Sequence, residues 1–225
     1  MADGAVVIFD LDGTLVDSAP DLAAAVDAAL AARGLPVPGE ARVRGWIGGG
    51  ARAMLSRALA WAGEPDPGSA VEAFYPVFYE LYSAHVADGS RPYPGIVDAL
   101  DALASAGATL AVATNKPERL ARLLLDALGL SARFAALVGG DTTEAKKPSP
   151  APLLAACRAS GAAPHGAAMI GDAPVDLQAA RAAGMAALAA GWGYGARAAL
   201  EAERPDDFLA APSAVTPERV GATRV

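Results

Sequence analysis

Cysteine, histidine and lysine are scarce in this chain of 225 residues, and each scarcity closes off a class of function. The single cysteine, Cys157, cannot form an internal disulfide and reads as a buried helix thiol. His85 and His165 are the only histidines, and neither stands beside Ser, Cys or Asp in a catalytic arrangement. Zinc and histidine-based chemistry are therefore not expected, and His85, at helical spacing, reads as a packed residue. No apolar run is long enough to span a membrane, and the first residues lack the basic flank and apolar core of a signal peptide, so a cytoplasmic protein with no membrane partner is expected. Positive charge is also short. A net charge of −7 argues against nucleic acid as a partner. It leaves room for an anionic small molecule, because a local cation can override the overall field. Lysine occurs only at positions 116, 146 and 147, all other basic residues being arginine. That usage suits sites needing a compact ammonium rather than a planar fork.

What is present is a core-forming composition, 53% hydrophobic and 19% charged, enough for one sizeable core plus an insertion. Val6-Val7-Ile8-Phe9 reads as a short buried strand that stops at Asp10 and Asp12 and the breaker Gly13. The spacing of two keeps both carboxylates on one side as the chain leaves the sheet, where open α/β sheets bind ligands. A calcium loop is a poor alternative, because the position that needs glycine is Leu15.

Residues 17–88 then carry helical periodicity and no convincing strand. Ser18 and Asp21 form a variant capping box before Leu22, Val26 and Leu30; Met54, Leu55, Ala58 and Leu59 make a second face; Phe74, Phe78 and Tyr82 make a third, expected to start or kink near Pro76. This stretch reads as an all-helical inserted domain, leaving 1–16 and 89–225 as the catalytic core. In the core, strand candidates at 110–113, 134–138, 167–170, 186–189 and near Phe208 alternate with helices at about 117–128, 150–159 and 174–183. That order predicts an α/β fold, a doubly wound parallel sheet wrapped by helices on both faces. The residues after about Pro212 read as a frayed tail.

The later strands also end in polar residues: Thr114-Asn115-Lys116, Lys147-Pro148 and Gly171-Asp172-Ala173-Pro174-Val175-Asp176. A parallel sheet brings such ends side by side. If Asp10, Asp12 and Asp172 lie within about 4 Å of one another, each ionised pair costs roughly 4 kcal/mol at an effective dielectric near 20, so the cluster demands a cation. An all-oxygen donor set suits Mg²⁺, with Lys147, Thr114 and Asn115 left to hold phosphoryl oxygens. Such a site performs phosphoryl transfer on a small-molecule phosphomonoester.

These four stretches resemble, in order and spacing, the motifs of the haloacid dehalogenase superfamily. The resemblance implies a Rossmann-like core with a helical cap inserted after the first strand. It also implies Asp10 as nucleophile, Asp12 as general acid and then base, and Lys147 and Thr114 on the phosphate. Asp10, Asp172 and the Asp12 backbone carbonyl would be metal ligands, with Asp176 in support. Within the superfamily, Trp46-Ile47-Gly48-Gly49-Gly50-Ala51, Arg91-Pro92-Tyr93-Pro94-Gly95, Thr114-Asn115-Lys116-Pro117 and the run from Lys147 to Leu153 are similar to bacterial phosphoglycolate phosphatases. Gly49, Ala173 and Gly193 depart from that pattern, which usually has Asn, Ser and Asn there.

The alternatives are a sugar phosphomutase of the same superfamily, disfavoured by Thr14, and a phosphatase for another organic phosphate such as N-acetylmuramic acid 6-phosphate. A phosphonate hydrolase is opposed by the absence of lysine in 17–88, and a dehalogenase by Asp12, which that chemistry does not need. A binding module with a relic site is opposed by the intact carboxylates and Lys147. Specificity is expected from the loop between Arg44 and Arg52, whose guanidinium groups would bind a substrate carboxylate beside flexible glycines. The expected assembly is a monomer or homodimer.

Overall fold

The computed structural model describes residues 6–222. The chain opens with β1 (Val6–Phe9) and the two-residue β2 (Val16–Asp17), then enters four helices: α1 (Ala19–Ala31), α2 (Glu40–Val43), α3 (Ala51–Trp61) and α4 (Pro67–Ala84). It returns through β3 (Arg91–Pro92), which pairs antiparallel with β2 and forms a short neck beneath the helical insert. From there α5 (Ile96–Ser105), β4 (Thr109–Ala113), α6 (Glu118–Ala127), β5 (Ala136–Val138), α7 (Ala151–Ala159) and β6 (Ala168–Gly171) alternate. The chain ends in α8 (Pro174–Ala182), β7 (Ala186–Ala190), α9 (Arg197–Ala202), β8 (Asp207–Leu209) and α10 (Pro217–Ala222).

Among the described residues, six parallel strands form one sheet in the order β5-β4-β1-β6-β7-β8. Chain order therefore reverses direction between β1 and β6, and that switch point is where open α/β sheets hold ligands. Period-two alternation sorts the strand side chains onto two faces. Val7, Phe9, Leu110, Val112 and Ile170 join a core continuous with the insert. Val6, Ile8, Ala111, Ala113, Ala187 and Ala189 face the other way, and the small alanines among them let α7 and α8 lie close.

Four expectations are corrected. α4 runs unbroken through Pro76 and begins at Pro67, capped by the Asp66 side chain, which accepts from Ser69 N–H at 3.2 Å. Pro76 is exposed, so water can satisfy the carbonyl it leaves free. Burial of Phe74, Phe78 and Tyr82, about 1.5–3 kcal/mol each, outweighs the roughly 3 kcal/mol cost of proline. The capping box at Ser18 does not form, because both side chains serve tertiary contacts: Ser18 Oγ donates to Asp12, and Asp21 accepts from Gly89 N–H, Ser90 N–H and Ser90 Oγ. The stretch after Pro212 is folded through Ala222, pinned by buried Val215 and Val220 and by an Arg219–Asp207 ion pair at 2.6 Å; residues 223–225 lie outside the described residues. His85 is exposed beside Asp88 rather than packed. Cys157 is buried on α7, as expected.

Candidate active site at the carboxyl edge of the sheet

In-register pairing of Phe9 with Val112 on one side and Ile170 on the other brings the residues after three strands to one edge. Asp10 follows β1, Thr114 follows β4 and Asp172 follows β6, all buried. Lys147 reaches this edge from the loop before α7. Its ammonium donates to the Ala113 carbonyl at 2.6 Å and forms ion pairs with Asp10 Oδ1 at 3.0 Å and Asp176 Oδ1 at 2.7 Å. Asp176, in the first turn of α8, also accepts from Ala173 N–H, so one carboxylate closes the helix start and anchors the lysine. Asp172 accepts from Thr14 Oγ1 at 2.9 Å and Tyr194 N–H at 2.8 Å.

Two glycines make this closeness possible. Gly13 has φ +88°, and a Cβ there would fall 2.3 Å from Asp172 Oδ2. A Cβ on Gly193 would fall 2.3 Å from both the Asp172 Cβ and the Gly13 carbonyl oxygen. The departure from Asn at this position is thus matched by a loop that runs against the carboxylate.

Carboxylate oxygens of Asp10, Asp172 and Asp176 all lie within 4.8 Å of one another, with one ammonium among them. Burial, opposed by Lys147 and reinforced by Asp176 and Asp12, pushes the Asp10 carboxyl up to about 7. Burial and the neighbouring Asp10 and Asp176 push Asp172 up to about 8. Lys147 stays charged against its burial, because Asp10 and Asp176 raise it. Three carboxylates against one ammonium, all oxygen donors and no His or Cys, fit a hard divalent cation held by Asp10 and Asp172.

Asp12 is placed differently. Its carboxylate turns away from that cluster onto Lys116 Nζ, at 2.8 and 3.0 Å, and accepts from Ser18 Oγ at 2.6 Å. Lys116 is itself buried, its ammonium 4.5 Å from the centre of the Tyr82 ring. The partnership spans 104 positions of sequence, and the only signal for it was the rarity of lysine. Thr114 lines the cavity, its hydroxyl accepting from Lys116 N–H at 3.2 Å. Asn115 lines it too, but its amide donates to the Gly48 and Lys147 carbonyls, tying the insert's glycine loop to the core; its Oδ1 is buried without a partner.

The cavity above Asp10 and Asp12 measures about 30 Å³, room for about two waters at 10–15 Å³ each. Its far wall is apolar: Leu22, Ile47, Met54 and Phe78 from the insert and Leu120 from α6. Arg44 and Arg52 are not on this wall. Arg44 pairs with Asp17 at 2.9 Å and Glu40 at 2.8 Å and lies over the Tyr194 ring; Arg52 pairs with Glu72 at 2.8 Å and stacks on Tyr75. Arg52 borders a second, wider space of about 220 Å³ outside the glycine loop. Tyr194 was missed entirely by sequence reasoning. Its hydroxyl accepts from Ser18 and Ala19 N–H and donates to Asp17, joining the neck to the loop that carries the Asp172 contact.

Residues 5–184 match the haloacid dehalogenase-like hydrolase family. The chain belongs to that family, and it is a phosphoric monoester hydrolase. Among its relatives, proteins named phosphoglycolate phosphatase from Escherichia coli strain K12 and from Shigella boydii serotype 4 are each 42% identical over 217 residues, covering 89% of this chain and 86% of theirs. A crystal structure described as a predicted phosphoglycolate phosphatase from Haemophilus somnus 129PT superposes with a TM-score of 0.87 at 32% identity, covering 99% of both chains. No helix among the described residues is long and apolar enough to cross a membrane.

Proposed function

We propose that this chain is a Mg²⁺-dependent phosphatase that hydrolyses 2-phosphoglycolate to glycolate and phosphate through an aspartyl-phosphate on Asp10. The observation that carries the reading is the division of labour between the two leading carboxylates. Asp10 sits in the Asp172–Asp176–Lys147 cluster, while Asp12, two residues on, is set apart on Lys116 at the cavity. Bound Mg²⁺ would supply charge neutralisation, letting a carboxylate approach a phosphate dianion. Asp10, held at Oδ1 by Leu11 N–H and Lys147, attacks phosphorus with its other oxygen as the ester P–O bond breaks. Asp12 gives its proton to the departing alkoxide, then takes a proton from the water that attacks the phosphoenzyme, releasing phosphate and restoring Asp10. Thr114, which lines the cavity, would hold a transferring oxygen, while Lys147, outside the cavity lining, would keep Asp10 charged and in place.

The relatives' names support phosphoglycolate. The test is phosphate release, with Mg²⁺ and with chelator, from 2-phosphoglycolate and a panel of other phosphorylated metabolites. The proposal expects 2-phosphoglycolate to lead in kcat/KM and chelator to remove the activity. Equal rates across the panel would contradict the substrate, and full activity in chelator would contradict the metal.

A further inference from the structure

The reaction leaves one question open, which is where the organic half of the substrate is read. The insert's wall is hydrocarbon, and the two arginines flanking its glycine loop are already paired with Asp17, Glu40 and Glu72. Two side-chain donors lining the same cavity are unspent. An ammonium has three N–H donors; Asp12 takes two from Lys116, and among the described residues no other acceptor lies in hydrogen-bond geometry to it. The Tyr82 hydroxyl, on a side chain with no exposure, makes no hydrogen bond of good geometry; the Lys116 ammonium is the polar group beside it, and its O–H is left without an acceptor. Both residues line the cavity, Lys116 from the core and Tyr82 from the last helix of the insert, with the ammonium over the tyrosine ring.

We propose that Lys116 and Tyr82 together receive the carboxylate of the substrate, which makes a small 2-phosphorylated acid the class of molecule this cavity selects. The inference rests on the phosphatase reading above. Its geometry follows from the acid–base partner: Asp12 must reach the ester oxygen, and Lys116 is one hydrogen bond from Asp12. In a 2-phosphorylated acid a single carbon separates the ester oxygen from the carboxylate. A carboxylate carried further along a sugar would meet Leu22, Met54 or Phe78 instead. Because Lys116 comes from the loop after β4 and Tyr82 from α4, a carboxylate between them would also bridge core and insert. The rival reader is the start of α3, whose backbone N–H groups at Ala51 have no side-chain cap.

The experiment measures kcat/KM for 2-phosphoglycolate and for 2-hydroxyethyl phosphate, which replaces the carboxylate by an alcohol, in wild type, Tyr82→Phe and Lys116→Met. Wild type should favour the acid by roughly ten- to a hundredfold, as for a charged hydrogen bond. Both variants should shrink that ratio by about fivefold or more, chiefly through KM for the acid in Tyr82→Phe. The ratio is the readout because Lys116→Met also removes the partner of Asp12 and lowers turnover of both substrates. If wild type shows no preference, the phosphoglycolate reading and this inference fall together. If wild type prefers the acid and Tyr82→Phe and Lys116→Met keep the full ratio, the substrate stands, this inference is overturned, and the α3 start becomes the reader. Should Lys116→Met fail to fold, Tyr82→Phe decides alone.

Discussion

The two walls of the cavity are built on opposite plans. At the sheet edge nearly every group is charged, buried and tied to another: Lys147 to Asp10 and Asp176, Lys116 to Asp12, Thr14 and Tyr194 to Asp172. On the insert side the groups facing it are Leu22, Ile47, Met54, Phe78 and the backbone of Gly48 and Gly50, with Tyr82 the exception. The charged edge can be rigid because a phosphoryl group has one shape. The hydrocarbon wall does little beyond excluding water, which strengthens each interaction across it. The insert is held on the core by backbone carbonyls rather than by packing alone, since Lys146 donates to Gly49 O at 2.8 Å and Asn115 to Gly48 O at 3.2 Å.

The contrast is broken most severely at Asp10. Asp10→Asn keeps the shape and removes the nucleophilic carboxylate, so turnover should fall at least ~10⁴-fold, as when members of a catalytic unit are deleted. A steady-state assay with 2-phosphoglycolate checks it; residual activity within tenfold of wild type would return the chemistry to some other group.

A middle-sized effect separates the edges by pH in metal-free protein. Asp10 at about 7 and Asp172 at about 8 lie above their unfolded values, so the folded state holds protons that the unfolded state has lost. The contribution of this pair to stability should therefore be fully present below about pH 4, decline as pH rises through about 7 to 8, and level off above. Divalent cation should restore little at about pH 5 and most at about pH 8.5. Thermal melts with and without chelator read this directly, and metal-free stability that climbs across the window would show that the cluster is not strained.

The smallest effect is expected on the outer face. Arg52 is half-exposed and paired with an exposed Glu72, so Arg52→Ala should change stability by less than about 1 kcal/mol. Its kcat/KM for 2-phosphoglycolate should stay within about threefold of wild type. A tenfold loss confined to acid substrates would put a guanidinium on the substrate after all.

The sequence made one wall legible and not the other, for a physical reason. Asp10 and Asp172 directly follow strands, with Asp176 in the first turn of the helix after β6 and Lys147 in the loop before α7, and the parallel sheet brings these segments to one edge. The helical insert was legible from its periodicity, including the faces around Leu55 and Phe78. What could not be read were pairings that depend on how two long-separated segments meet. Arg44 and Arg52 flank a glycine loop in sequence, yet Asp17, Glu40 and Glu72 claim them in space. Ser18 looked like a helix cap and is a partner of Asp12; Lys116 read only as a polar residue at a strand end and sits between Asp12 and Tyr82. Local propensity proposed each role and tertiary electrostatics overrode it.

The central claim is that Asp10 is phosphorylated and that Asp12 is needed to discharge it. Asp12→Ala, mixed with Mg²⁺ and a reactive aryl phosphate and quenched in acid, should carry one phosphoryl group on the peptide containing Asp10, read by mass spectrometry. The group should persist far longer than in wild type, because the attacking water has lost its base. Turnover like wild type with no trapped adduct, or an adduct on any other residue, would contradict the account.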